Sequence, residues 1–163
     1  MKESIALFFN SFLPPEITTF IIAALPIVEL RGALPLAMSV FEFGFWKAYI
    51  LSVAGNLAPV APLLFFLENI SSYLMSHSLL FKRFFDWWFE RTRRHSDIVE
   101  KYETLGLMLF VAVPLPMTGA WSGCVAAYLL GIKFRHAVTA IAGGVIIAGF
   151  IVGLATAGAI RIF

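Results

Sequence analysis

Pro26-Ile27-Val28-Glu29-Leu30-Arg31-Gly32-Ala33-Leu34-Pro35 lies inside an otherwise apolar run over residues 17–40. A plain lipid-facing helix does not carry this grouping. A charge at the centre of a membrane helix costs about 2.5 to 3.5 kcal/mol on insertion scales, so Glu29 and Arg31 need partners or water. At a spacing of two they point to nearly opposite sides of a continuous helix, whereas an unwound turn lets both face one cavity. The proline before Glu29 and the glycine after Arg31 supply that unwinding. Backbone groups freed by such a break are tolerated at membrane depth only inside protein or beside water, so the stretch implies a polar cavity.

The rest of the chain is as apolar as this segment. Of its 163 residues 60% are hydrophobic, 15% aromatic and 13% charged, with a mean hydropathy of +0.88. Soluble domains carry roughly a quarter charged residues, so a soluble fold is excluded on composition. The length allows a single membrane domain and no separate catalytic one. A net charge of +2, with the basic residues gathered mid-chain, argues against nucleic acid as a partner. The lone cysteine, Cys124, has no thiol partner and reads as a small packing residue. Residues 48–67, 104–132 and 137–160 carry no charge, and each reaches the roughly 20 residues needed to cross the hydrocarbon. The second of these is broken near its middle by Pro114, Pro116, Gly119 and Gly123. Residues 1–14 read as a surface segment retained in the mature protein, and Pro15 with Glu16 suits the first turn of a helix.

Two broken segments, each followed by an intact span, suggest an internal repeat. Moving residues 15–67 forward by 87 pairs Gly32-Ala33 with Gly119-Ala120 and Gly44 with Gly131. The expected fold is therefore an all-α integral membrane protein, one domain over 1–163. It consists of repeat 1 (15–67), an amphipathic linker (68–103) and repeat 2 (104–163), each repeat a re-entrant helical hairpin plus a transmembrane helix. In the linker, Phe81, Phe84, Phe85 and Trp88 recur at helical spacing, with Lys82, Arg83, Glu90, Arg93 and Arg94 mostly elsewhere around the helix, as in an interfacial helix. One crossing per half puts the linker opposite both chain ends and makes the repeats inverted. Lys82, Arg83, Arg91, Arg93, Arg94, Lys101, Lys133 and Arg135 then share one face, which the positive-inside rule makes cytoplasmic. The alternative is that both broken segments cross fully as kinked helices, with a poorer charge asymmetry.

Pro114-Leu115-Pro116-Met117-Thr118-Gly119-Ala120-Trp121-Ser122-Gly123 is the second constellation, and it carries no charge. It offers the hydroxyls of Thr118 and Ser122, freed carbonyls near the prolines, and amides at the start of the returning half-helix, where an anion is favoured. Tips of two hairpins related by a pseudo-twofold axis can meet near the midplane and form one site. Arg31 is the expected anchor for an anionic group and Glu29 the proton carrier, with Trp121 as a lid or a packing residue and Asn56 lining the same cavity. Gly32, Pro35, Pro114, Pro116, Gly119 and Gly123 shape the two tips. A packing role competes for each: a structural ion pair for Glu29 and Arg31, bonding back to a helix carbonyl for Thr118 and Ser122, a kinked helix for Asn56. His77, His95 and His136 show no ligand spacing and no serine sits in a nucleophile elbow, so neither a metal, a cofactor nor an enzymatic activity is expected. A homodimer would help such a small chain to enclose a cavity.

The strings Glu29-Leu-Arg-Gly-Ala-Leu-Pro35 and Pro114-Leu-Pro-Met-Thr-Gly-Ala-Trp-Ser-Gly123, with an amphipathic linker between, resemble the small multidrug export protein family of bacteria and archaea over nearly the whole chain. More distantly, paired re-entrant hairpins with an acidic residue and an arginine look like the DedA superfamily, linked to moving polyprenyl-phosphate or other lipids. The second hairpin departs from that pattern, since it lacks the acidic and arginine residues of DedA-type proteins. The resemblance implies a multi-pass inner-membrane secondary transporter in contact with lipid, coupled to protons or sodium, moving a small molecule. The other implied reading is a lipid-phosphate translocase. A structural membrane protein with no transported substrate is the third.

Overall fold

Pro15, with its fixed φ, opens α1 (Pro15–Ala24) and places Glu16 in the first turn. This computed structural model describes residues 13–77, 97–115 and 118–162. Most of the surface segment over 1–14, and the amphipathic helix expected over 81–94, lie outside them. After the turn at residues 25–28 come α2 (Glu29–Ser39), α3 (Phe45–Leu57), α4 (Val60–His77), α5 (Asp97–Ala112), α6 (Ala120–Leu129) and α7 (Phe134–Ile162). The described residues are helical or loop throughout. Both flanks of the expected linker are helical, since α4 runs on to His77 and α5 starts at Asp97.

Helix lengths follow the breaks read in the sequence. At 1.5 Å per residue, α1 (10 residues), α2 (11) and α6 (10) are each about 15 Å long, half the hydrocarbon thickness. α1 and α2 form a hairpin closed by Ile22, Ala23, Ala33 and Leu36. The uncharged run over 104–132 is no single span, because residues 113–119 divide it into α5 and α6. Long apolar helices occur elsewhere: Phe45–Asn69, formed by α3 and α4 around Pro59, and Phe134–Ile160 in α7, with mean hydropathies of 1.9 and 2.3. Only 28% and 44% of these stretches is buried within the fold. Trp46, Ile50, Phe65, Phe66, Ile151 and Leu154 face outward, an apolar surface suited to lipid rather than water. The chain is a membrane protein.

Close helix crossings hold each half together. α1 lies parallel to α3, with Lys47 Nζ 2.6 Å from Glu16 Oε1 at one end. Nearer the other end, Gly55 abuts the Phe20 carbonyl, where a Cβ would overlap it. The Lys47 ammonium holds the exposed Glu16 carboxyl below its usual range. In the second half α5 lies on α7, and a Cβ on Gly144 would stand 2.7 Å from the Met108 carbonyl oxygen. The halves are joined by α2 packing on α7 and α6 packing on α4. The larger core, around Leu30, Val111, Cys124, Ile141 and Val145, fills the space where these helices meet. Cys124 is fully buried there, in the packing role expected of it.

Candidate functional site at the hairpin tips

Glu29 is where the first hairpin turns back. Its φ of +51° places it in the left-handed region, which a non-glycine residue enters at a cost of about 1 to 2 kcal/mol. Strain of this kind gathers at functional sites. The turn carries the carboxylate out of the first hairpin and onto the second. Only 8% of Glu29 is exposed, and Oε1 accepts the Trp121 N–H at 3.4 Å. The carboxylate lies directly over Gly119, so a side chain there would occupy the same space. Gly119 is the N-cap of α6 and has no side chain to cap the helix. Glu29 takes that position from the other hairpin, setting a negative charge at the positive end of α6.

Arg31 does the converse at the end of α5. Its Nη1 donates to the Leu115 carbonyl, and Nη2 lies 3.2 Å from Val113 O, 2.6 Å from Thr118 O and 2.9 Å from Thr118 Oγ1. The Thr118 hydroxyl is also within reach of Val113 O, at 2.8 Å, and Leu115 O, at 2.9 Å. These carbonyls lie in and beside the loop that follows α5, where the helix dipole is negative and prolines leave backbone acceptors free. A hairpin tip without a charged side chain thus supplies a positive end for Glu29 and a negative end for Arg31. The two charged groups form no ion pair with each other. A second tie joins the tips where Trp121 Nε1 donates to Ala24 O at 3.1 Å.

Between the tips lies a cavity of about 10 Å³, room for a single water molecule, walled by Glu29, Arg31, Asn56 and Gly119 with Val145 and Ala148 of α7. Of the residues singled out in the sequence, the junction brings together Glu29, Arg31, Asn56, Thr118, Gly119 and Trp121. The others stand apart from it. Gly32 lies against Val28, where a Cβ would overlap Val28 Cγ1, and Pro35 lies within α2. Ser122 bonds back to the Gly119 carbonyl at 3.1 Å, and Gly123 lets Val111 of α5 pack on α6. Pro114 lies in the connecting loop, and Pro116 lies outside the described residues. Sequence reading missed Thr18 and Ser52, both fully buried. The signal for Ser52 was its position four residues before Asn56 on one helix face. No cluster able to hold a metal ion occurs among the described residues.

The family model described as "Putative small multi-drug export protein" matches residues 29–151, most of the chain. The chain belongs to this family. No curated protein and no solved structure matches it. The stretch matched by the small multidrug export model opens at Glu29 and takes in Arg31, Val113, Leu115, Thr118, Gly119 and Trp121. Both sides of the junction therefore fall within it, whereas α1 precedes it.

Proposed function

We propose that this small multidrug export protein is an ion-coupled secondary exporter of the cytoplasmic membrane, and that Glu29 carries the coupling ion between two re-entrant hairpins. The observation that carries the reading is the buried Glu29 carboxylate on the N-terminus of α6. Ionised, it ties the tips together. Neutralised, it loses most of its attraction to the helix end, and the tips can part. The cavity has room for about one water molecule, so a drug-sized solute fits between the tips only when they part. The lipid-phosphate reading gains no support here, because the Arg31 donors that would bind a phosphate are engaged by the carbonyls of the other hairpin.

An inverted-repeat arrangement gains support from three features. Helices of about 15 Å return from mid-bilayer more readily than they cross it. The Arg31–Thr118 hydrogen bonds join residues 87 apart, the same offset that superposes the halves, as expected for equivalent positions beside a pseudo-twofold axis. Gly55 under Phe20 and Gly144 under Met108 repeat the same close crossing, while the packing of α2 on α7 is mirrored by that of α6 on α4.

Ethidium efflux from proteoliposomes under an imposed proton or sodium gradient tests the role of Glu29. Glu29→Gln is expected to reduce gradient-driven efflux to background while the protein stays folded. Full gradient response in that variant would remove Glu29 from the coupling step. Topology is tested separately with single cysteines at Lys47 and Arg83, using a membrane-impermeant maleimide on whole cells. Label is expected at position 47, and at position 83 only after permeabilisation. Equal labelling would overturn the proposed orientation; Cys124, being fully buried, adds little background.

A further inference from the structure

Thr18, Ser52 and Asn56 each bury a side-chain oxygen that has no hydrogen-bond partner. Of the three, only Asn56 borders the cavity between the hairpin tips, which it shares with Glu29 and which has room for about one water molecule. Asn56 is 3% exposed, and its open atom is the amide oxygen Oδ1. An acceptor left open at that depth calls for a donor. The other side chains around the cavity are apolar apart from Arg31, whose guanidinium bonds the carbonyls of the second hairpin.

Glu29 itself can supply the donor. As a carboxylate it offers only acceptors and has nothing to give Oδ1, whereas once protonated it gains one O–H. The missing donor thus exists in one protonation state and not in the other. Asn56 belongs to α3, in the same half of the chain as Glu29, while the Trp121 N–H that Glu29 Oε1 accepts belongs to α6 in the other half. The carboxyl group therefore stands between a donor of the second half and an acceptor of the first.

We propose that the coupling ion is the proton and that Asn56 is its acceptor partner: on protonation the Glu29 O–H donates to Asn56 Oδ1, directly or through one water, as the carboxyl releases the Trp121 N–H. The inference rests on the coupling role given to Glu29 and deepens it. Ionised Glu29 binds α6 and neutral Glu29 binds α3, so each protonation state favours one arrangement of the tips. The proton comes from water and returns to water, with no other bond made or broken. Sodium fits less well, because it wants several oxygen ligands and is repelled by Arg31, whereas the side chains here offer one carboxylate and one amide oxygen. The charged and titratable groups facing Glu29 are Arg31 of its own helix and Cys124 of α6. α5 and α7 bring Val111, Val145 and Ala148 to the cavity. The charges of α1 and α3, Glu16 and Lys47, are paired with each other in the first turns of those helices.

The carboxylic C=O band of Glu29, followed over pH by infrared difference spectroscopy on the full-length protein in proteoliposomes, reads the midpoint of this protonation, with Glu29→Gln to assign the band. Asn56→Leu, of similar size, removes the acceptor and is expected to move the midpoint about one pH unit toward acid, a tenfold loss of proton affinity. The sign is decisive. Loss of an amide N–H that bonded the carboxylate, or a drier cavity alone, would move the midpoint toward alkali. Asn56→Ala, which cannot overpack, should shift it in the same acid direction, and Asn56→Ser, which keeps an acceptor oxygen, should shift it less. Thr156→Ala, which removes a hydroxyl bonded to Val152 O within α7, should leave it unmoved. An unmoved or alkaline midpoint in the leucine and alanine variants would overturn the inference and leave the coupling role of Glu29 intact. So would a midpoint that follows sodium concentration, since sodium would then compete with the proton for the carboxylate. A wild-type Glu29 band that never titrates would remove both.

Discussion

Gly119→Ala is expected to abolish export and lower thermal stability by about 2 to 3 kcal/mol, the range of an overpacked contact combined with a lost charged cap. The added methyl group would occupy the space of the Glu29 carboxylate. Either the carboxylate swings off the N-terminus of α6 or the helix moves away from the first hairpin. Both outcomes break the junction through which Glu29 holds the tips. A double-mutant cycle isolates the cause: in a Glu29→Ala background the space is vacated, and Gly119→Ala should then cost much less. Additive losses in unfolding free energy, measured in the same lipid or detergent, would mean that the substitution acts elsewhere in α6.

Removing the guanidinium should be more damaging to the fold. Arg31→Met leaves the carbonyls of Val113, Leu115 and Thr118 without that donor, in a loop flanked by lipid-suited helices. Unsatisfied backbone groups cost several kcal/mol each in hydrocarbon, and a hydrogen bond to a charged donor typically contributes about 1.5 to 3 kcal/mol. The expected result is a large fall in melting temperature, with faster proteolysis between α5 and α6. Arg31→Lys keeps the charge but loses the planar fork that reaches several carbonyls at once, so an intermediate loss is expected. Wild-type stability in the lysine variant would show that charge alone suffices and that the divided hydrogen bonds matter little.

Much of the junction could be read from residue identities. The prolines and glycines around Glu29 and Thr118 announced breaks at those places, and the cost of burying a carboxylate and a guanidinium announced a polar cavity beside them. The amides at the start of the returning half-helix stood out as an anion site in the same way. What was not legible was the occupant. The Trp121 amide bonds Glu29 of the other hairpin, and the Arg31 guanidinium, expected to anchor an anionic group, bonds carbonyls. Ser122 and Gly123 shared the second motif with Thr118 and Gly119 yet face their own helix and α5. One turn of helical phase separates junction from packing, and a break in the helix hides that phase from spacing arguments.

The sequence by itself determined the solvent, the helices and the positions of the breaks. These depend on local quantities: apolar content over about 20 residues, the missing N–H of proline, the charge of a side chain. Only the tertiary structure decided what Glu29 and Arg31 bind, because their partners are amides and carbonyls of the main chain, which nearly every residue carries and no residue name reveals. It also decided which buried hydroxyls stay open. Thr18 and Thr19 are neighbours of one residue type, both fully buried, and only the folded chain leaves one without a partner while the other bonds back to Pro15.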